Sequence, residues 1–395
     1  MSVIETQSPT TRRPRFVRGR LLCTALLALT PLAQGHAAPY LPGSDAQVLA
    51  ELPTGARHSS QATRQITRTR LDIALPLAQF YISRARATGD LRFLGYAEAI
   101  LAPWLSKADV PTQVVVLHAT ILQSRHLFDA SLSELDRALA RTPNDAQAWL
   151  TRATVLRVLG RYQEADAACQ HLAATADPAI TTLCVQSLRG LTGQLRNAYA
   201  AIAALPQQAL PPEARAWRYS ELGEMAERLG EDPAAEHWLR QGLAVAPDDF
   251  YLRAACADVL LRQGRAAETL QLLAGYESME PMLLRIAIAH RVLHDASSSR
   301  TEALLASAFT VEQQRGDAVH RREQARFLLD VAWQPSAALT AAQENWQVQR
   351  EPEDLLILLR AAQAAHQPRA GEPARDFLKH KGLEDARLAP YEATR

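Results

Sequence analysis

Residues 146–168, AQAWLTRATVLRVLGRYQEADAA, contain the pattern that decides the fold of this chain. The first half carries apolar residues at spacings of three and four, the period of an amphipathic α-helix: Trp149, Ala153, Leu156 and Leu159. Gly160 interrupts this period, and a second helical pattern then runs through Tyr162, Ala165 and Cys169. The stretch therefore predicts a helical hairpin, two helices joined by a short turn at a glycine.

The same arrangement returns along the chain at intervals of about 34 residues. With Ala146 as position 1 of a repeat, comparable repeats begin at Thr112, Ala216, Phe250 and Arg321. Position 8 is often small, position 15 is often glycine, and position 32 is often a proline that ends the second helix. One hairpin cannot bury its apolar face alone, so neighbouring hairpins are expected to stack into a continuous core.

Small residues at positions 8 and 20, a turn near 15 and a proline near 32 make the pattern resemble the tetratricopeptide repeat. The resemblance covers about nine repeats between residues 75 and 388, and it is strongest over 112–178 and 216–249. It implies an all-α, right-handed α-solenoid in which the first helix of each hairpin lines a concave groove. The stretch Thr88 to Leu105, followed by these repeats, also resembles a group of uncharacterised exported bacterial repeat proteins.

The first 37 residues are organised like an export signal. Five arginines precede Leu21, and Leu21 to Ala33 form an apolar run of 13 residues. Small residues at Gly35 and Ala37 then favour cleavage after Ala37. A membrane anchor is the alternative, but this run is shorter than the roughly 20 residues that span a bilayer. Cleavage would place the mature chain in the periplasm or outside the cell.

The rest of the chain is organised around the array. Residues 38–74 contain prolines and a polar run, so we expect a linker or N-terminal cap there, then the solenoid over 75–388 and a tail over 389–395. Without residues 1–37 the chain has 38 basic and 41 acidic residues, a net charge of −3. This composition argues against a nucleic-acid partner, which requires a basic surface. We also expect no stable membrane span in the mature chain.

Three cysteines remain beyond the export signal: Cys169, Cys184 and Cys256. Cys169 would lie on the second helix of one hairpin and Cys184 on the first helix of the next, so the two could be neighbours. In an exported protein this placement allows a Cys169–Cys184 disulfide. The alternative is that all three cysteines are small buried hydrophobic residues.

A search for catalytic chemistry finds little. The sequence contains no nucleophile elbow, zinc-protease, phosphate-loop or dinucleotide-binding motif, so we expect neither enzymatic activity nor a cofactor. The nearest approach to a metal motif is the pair His290 and His294, four residues apart on a predicted helix. The pair lacks further ligands, so ordinary surface or groove histidines are the simpler interpretation, and we expect no metal.

The repeat frame instead points to a polar groove wall. In the tetratricopeptide superfamily, position 9 of the first helix faces the groove, and here this position includes Glu224, Asp258 and His290. Nearby positions add further charged residues: Arg157, Glu227, Arg228, Arg262 and His294. We therefore expect a non-enzymatic scaffold that binds a protein or peptide in this groove. The alternatives are a small-solute or metal-binding wall built on Glu224, Asp258 and His290, or a solvated helix face that is polar without a function.

Overall fold

The computed structural model describes residues 63, 65–315 and 320–392. The predicted export signal, its cleavage position after Ala37 and most of the predicted linker lie outside the described residues. Within them the chain is helical and contains no strand. None of the described helices is both long enough and apolar enough to cross a bilayer.

Eighteen of the described α-helices pack as nine consecutive hairpins. The first five hairpins are α1 (Leu71–Thr88) with α2 (Arg92–Leu105), α3 (Thr112–Ser124) with α4 (Phe128–Arg141), α5 (Ala146–Val158) with α6 (Tyr162–His171), α7 (Pro178–Arg189) with α8 (Leu195–Ala203), and α9 (Pro212–Arg228) with α10 (Asp232–Val245). The last four are α11 (Phe250–Arg262) with α12 (Ala266–Leu272), α13 (Glu280–Val292) with α14 (Ser298–Arg315), α15 (Arg321–Asp330) with α16 (Pro335–Val348), and α17 (Pro352–Ala364) with α18 (Glu372–Lys381). A 3₁₀ turn (Ala386–Leu388) and a short helix, α19 (Ala389–Glu392), follow. The predicted all-α solenoid of about nine hairpins is confirmed.

The turns inside the hairpins use a left-handed residue at the end of the first helix. Glycine fills this place with φ of +71°, +76° and +74° at Gly160, Gly230 and Gly264. The corresponding turns of the second, seventh and ninth hairpins carry histidines with φ of +58°, +53° and +55°: His126, His294 and His366. Histidine enters this region more readily than most residues with a Cβ. His294 is therefore a turn residue that lies beyond the end of α13.

Small residues allow the two helices of a hairpin to approach closely. Ala153 on α5 and Ala165 on α6 are both buried, as the repeat frame predicts. At Gly223, position 8 of the fifth hairpin, a Cβ would come within 2.6 Å of the Leu239 side chain on α10. The repeat frame thus identifies packing positions correctly.

The chain links consecutive hairpins covalently as well as by packing. Cys169 on α6 and Cys184 on α7 form a disulfide with a Cα–Cα distance of 5.7 Å. Cys256 on α11 is buried and free. The disulfide joins the third hairpin to the fourth.

The array also closes on itself. The Arg350 amide before the ninth hairpin donates a hydrogen bond to the Val158 carbonyl of the third, at 2.8 Å. The ring of Tyr162 lies 5.8 Å from that of Phe377 on α18. One apolar cluster unites residues of α4 to α7 with residues of α15 to α18. The last two hairpins therefore pack directly against earlier ones, in addition to their neighbours along the chain.

Candidate functional site: the charged inner network

Most of the charged residues predicted for the groove take part in four groups of ion pairs, here together called the inner network. These groups lie on the first helices of the third, fifth, sixth and seventh hairpins, on the last two hairpins and in the 3₁₀ turn that follows them. Its members are Arg157, Glu221, Glu224, Glu227, Asp258, Arg262, Arg285, Arg322, Arg326, Glu351, Glu353, Asp354, Asp385 and Arg387.

Arg157 reaches from α5 to α9. Its guanidinium lies 2.8 Å from Glu221 Oε1 and 3.4 Å from Glu224 Oε2. The Trp217 indole N–H donates to the same Glu221 oxygen at 2.9 Å. Burial alone would lower the pKa of Arg157, but the charges of Glu221 and Glu224 raise it above its usual value. Arg157 is thus held as a cation between two carboxylates.

Glu224 has a second partner on the next hairpin. The Tyr251 hydroxyl of α11 donates to Glu224 Oε1 at 2.7 Å. Burial and the neighbouring Glu221 raise the pKa of Glu224 to about 7, against the opposing effect of Arg157. About a quarter of this side chain, 26%, remains exposed. Glu224 therefore keeps some contact with solvent.

Glu227 receives cations from two directions. Arg262 on α11 lies 3.5 Å from one of its oxygens, and Arg387 in the C-terminal 3₁₀ turn lies 3.2 Å from the other. Arg387 also pairs with Asp385 and with Glu353 on α17. Burial raises the pKa of Glu227 to about 8 despite both arginines.

Asp258 is the centre of a third group of pairs. It accepts from Arg285 of α13 at 2.6 Å and from Arg326 of α15 at 2.8 Å. These two guanidinium groups hold the pKa of Asp258 well below its usual range, although burial alone would raise it. Successive first helices are thus connected through one carboxylate.

A fourth group lies at the start of the ninth hairpin. Arg322 donates to Asp354 at 2.6 Å and to Glu351 at 2.7 Å. The side chain of Asp354 is wholly buried and also accepts from the Asn345 amide at 2.7 Å. This cluster fixes α17 against α15 and α16.

The remaining predicted site residues lie elsewhere. Arg228 is buried beside the network and donates to the Gly190 carbonyl at 2.6 Å, and burial lowers its pKa. His290 on α13 is half-buried, with an Nδ1 that has no hydrogen-bond partner in the described part of the chain. His294 is exposed in its left-handed turn. The two histidines therefore do not share a helix face, and neither has an ion pair with Glu224 or Asp258 among the described residues.

Several network residues were not predicted, although the repeat frame contained a signal for them. Glu221 and Arg326 occupy position 6 of their repeats, and Arg322 occupies position 2. These positions, like position 9, face the inside of the array. Reading positions 2, 6 and 9 of the frame together would have found Arg326, one of the two cations that pair with Asp258. Arg387 lies beyond the last hairpin, where no repeat position could indicate its role.

The inner network is a set of mutually paired charges. Each carboxylate described above has an arginine partner, and no nucleophile lies beside a base within the network. Three of its cations, Arg322, Arg326 and Arg387, come from the last two hairpins and the turn that follows them, so these elements lie against the face that the sequence predicts as a binding groove. In this structure the predicted groove carboxylates and arginines, unlike the two histidines, are engaged within the chain.

A different surface is conspicuous on the first hairpin. Four aromatic rings, here called the aromatic patch, lie with neighbouring centroids 5.5 to 6.1 Å apart: Phe80, Tyr81, Phe93 and Tyr96. Phe80 and Tyr96 are each 54% exposed. Ile73, two helical turns before Phe80 on the same side of α1, is 37% exposed. The Arg84 guanidinium lies 5.9 Å from the centre of the Phe93 ring.

Comparison with known proteins gives one partial family match and several distant structural likenesses. A model of a family of unknown function, DUF6544, matches residues 278–353. No curated protein sequence matches the chain. The chain is similar to the APC/C hetero-tetramer Cut9-Hcn1 with 11% identity and a TM-score of 0.47, over 76% of this chain and 58% of that one. It is similar to yeast Tom70 with 9% identity and a TM-score of 0.38, over 85% and 84% of the two chains. It is similar to the P58(IPK) TPR domain with 15% identity and a TM-score of 0.22, over 71% of this chain and 96% of that one.

Proposed function

We propose that this protein is a non-enzymatic scaffold of the cell envelope that binds another protein through the aromatic patch of its first hairpin. The observation that carries this proposal is a cluster of four aromatic rings, two of them exposed, on an array whose inner face is already occupied. Aromatic residues and arginine dominate the binding energy of protein interfaces. Clustered exposed apolar side chains on a folded protein also mark surfaces that bind other proteins.

The chemistry of the patch defines the partner. Ile73 and Phe80 offer an apolar strip along α1, while Tyr81 and Tyr96 add hydroxyl groups at its side. The Arg84 guanidinium makes no ion pair within the described residues, so it is available to pair with a carboxylate of the partner. We infer that the partner presents an amphipathic segment with apolar residues next to an acidic one.

The envelope location rests on two observations. The first 37 residues have the order of an export signal, with arginines, an apolar run and small residues before the cleavage position. The Cys169–Cys184 disulfide fits an oxidising compartment. Fractionation of producing cells should recover a chain that starts at Ala38 in the periplasm or the medium. A full-length chain recovered from the cytoplasm would contradict this location.

The predicted groove binding and its small-solute or metal alternative receive less support. Groove binding would require removal of the last two hairpins, which share an apolar cluster with the third and fourth. The metal alternative required Glu224, Asp258 and His290 to act together, whereas the first two are paired with arginines and a tyrosine. No observation favours either over the aromatic patch.

The patch can be tested by site-specific photo-crosslinking in producing cells. The mature chain would carry p-benzoylphenylalanine in place of Phe80 or, as a control, in place of Trp333, which is 68% exposed on the eighth hairpin. The proposal expects a discrete adduct with another protein from position 80 and none from position 333. The purified partner should then bind the wild type, and Phe80→Glu should weaken binding at least tenfold while Trp333→Glu does not.

Three outcomes would contradict this proposal. An adduct of twice the mass of the chain would identify a second copy as the occupant of the patch. An adduct within one chain would identify residues 38–62 as the occupant. Equal crosslinking from both positions would show that the patch has no selectivity.

A further inference from the structure

Outside the inner network, two carboxylates and a histidine converge at the junction between the seventh and eighth hairpins. Glu280 is the first residue of α13, Glu312 lies in the last turns of α14, and His320 immediately precedes α15. His320 Nδ1 lies 2.7 Å from Glu312 Oε1 and 3.4 Å from Glu280 Oε1. One potential ligand atom from each of the three lies within 4.8 Å of the others.

The cluster is mostly buried and incompletely satisfied. The three side chains retain between 17% and 23% of their exposure. Glu280 Oε1 is fully buried and accepts no hydrogen bond from any described group. His320 Nδ1, the cation nearest to this oxygen, already pairs with Glu312 at the shorter distance. A buried carboxylate oxygen without a hydrogen bond is costly, and a bound cation would offset that cost.

The charge of the cluster points to the same conclusion. Two carboxylates face one imidazole, so the carboxylates outnumber the single group that can carry a positive charge. A third carboxylate, Glu323, acts electrostatically on both Glu280 and His320.

We propose that Glu280, Glu312 and His320 form a binding site for one divalent transition-metal ion, with Zn²⁺ as the best fit. One imidazole and two carboxylates are ligands that zinc accepts, and water would take the fourth position. Tetrahedral ligand atoms about 2.0–2.2 Å from zinc are separated by roughly 3.4 Å. The distance between His320 and Glu280 already has this value, while His320 and Glu312 must separate slightly when the proton between them is replaced by the ion.

This site differs from the His290 and His294 pair that the sequence suggested. Its ligands come from three helices or their ends, so spacing along the chain gives no sign of it. An ion there would link α13 and α14 of the seventh hairpin to the start of the eighth. That link would strengthen the attachment of the last two hairpins to the rest of the array.

The test uses the full mature chain, stripped of metal with a chelator and then titrated with Zn²⁺ in a calorimeter. The proposal expects one ion per chain and at least about a tenfold loss of affinity in Glu312→Gln and in His320→Gln, because changes even around metal ligands cost 10–100-fold. The double variant His290→Gln/His294→Gln is the matched control and should bind as the wild type does. Bound Co²⁺ should also show visible absorption that His320→Gln abolishes.

Folding of the variants can be checked independently. Glu312→Gln removes one of two facing carboxylates, so its chelator-treated form should be at least as stable to heat as the chelator-treated wild type. Zn²⁺ should raise the unfolding temperature of the wild type more than that of this variant. The proposal is overturned if the wild type binds no stoichiometric Zn²⁺, or if the control variant loses binding to the same extent as His320→Gln.

Discussion

Gly160 lies so close to Phe377 that a Cβ on the glycine would come within 2.7 Å of the phenyl ring. The glycine ends α5 of the third hairpin, and the phenylalanine belongs to α18 of the ninth. The absence of a side chain at this turn therefore serves two needs, a left-handed backbone and a contact between distant hairpins.

These two needs can be separated with a matched pair of substitutions. Gly264 has a φ of +74°, close to the +71° of Gly160, but a Cβ there would meet nothing within 4 Å. We expect Gly264→Ala to cost about 1–2 kcal/mol through its backbone alone. Gly160→Ala should cost about 1–3 kcal/mol more, because the added methyl group displaces Phe377. Urea unfolding of both variants measures the difference, and equal costs would show that the ring adjusts freely.

Asp258 should be a stabilising charge. Replacing it by asparagine leaves Arg285 and Arg326 without their carboxylate, so we expect Asp258→Asn to lose about 3 kcal/mol at pH 7. The folded-state pKa of Asp258 lies below its ordinary 3.8, so its contribution is present above that pH and is lost as the pH falls below it. The loss caused by the substitution should therefore be smaller at pH 3 than at pH 7 in urea unfolding. Asp136→Asn, at a pair in which the aspartate is 64% exposed, should change stability by less than about 1 kcal/mol.

Glu227 should have the opposite pH dependence. Burial raises its pKa from 4.5 to about 8, so its neutral form is favoured in the folded state. Its contribution to stability is then full below pH 4.5 and is lost as the pH rises to about 8. Glu227→Gln stays neutral, and Arg262 and Arg387 retain other carboxylates. The variant should therefore gain stability relative to the wild type between pH 5 and pH 8, and a constant difference between them would disprove the raised pKa.

The disulfide should contribute measurably to stability. Cys169 and Cys184 are 15 residues apart, and a loop of that length corresponds to about 3 kcal/mol of unfolded-state entropy. Reduction of the mature chain, or the double substitution Cys169→Ala/Cys184→Ala, should lower the free energy of unfolding by about this amount. Thiol titration of the denatured mature chain should find one free thiol before reduction and three after it. Three thiols before reduction would contradict the pairing.

The sequence predicts this fold well because its signals are local. The apolar period around Trp149, the turn at Gly160 and the small residues at Ala153 and Ala165 each act within one hairpin. The repeat of this pattern then identifies every other hairpin whose sequence keeps the same spacing. Physical requirements that recur at fixed intervals can be recognised without knowledge of the three-dimensional structure.

The site is harder to predict because its partners are distant in sequence. The frame placed Glu224, Glu227 and Asp258 on the first helices of neighbouring hairpins, where each of them pairs with an arginine. It could not indicate that Arg387, 160 residues after Glu227, would return to pair with it. The curvature of a stacked array depends on many small packing angles, and only that curvature decides which hairpins meet.

Self-closure also limits how this array can evolve. A solenoid whose repeats contact only their neighbours can gain or lose a repeat without disturbing the others. Here Tyr162 meets the carbonyl of Arg350 across 188 residues of chain. Insertion or deletion of a single hairpin between them would move Arg350 away from Tyr162 and break this contact. The number of hairpins between the third and the ninth is therefore as much a structural requirement of this fold as any single side chain.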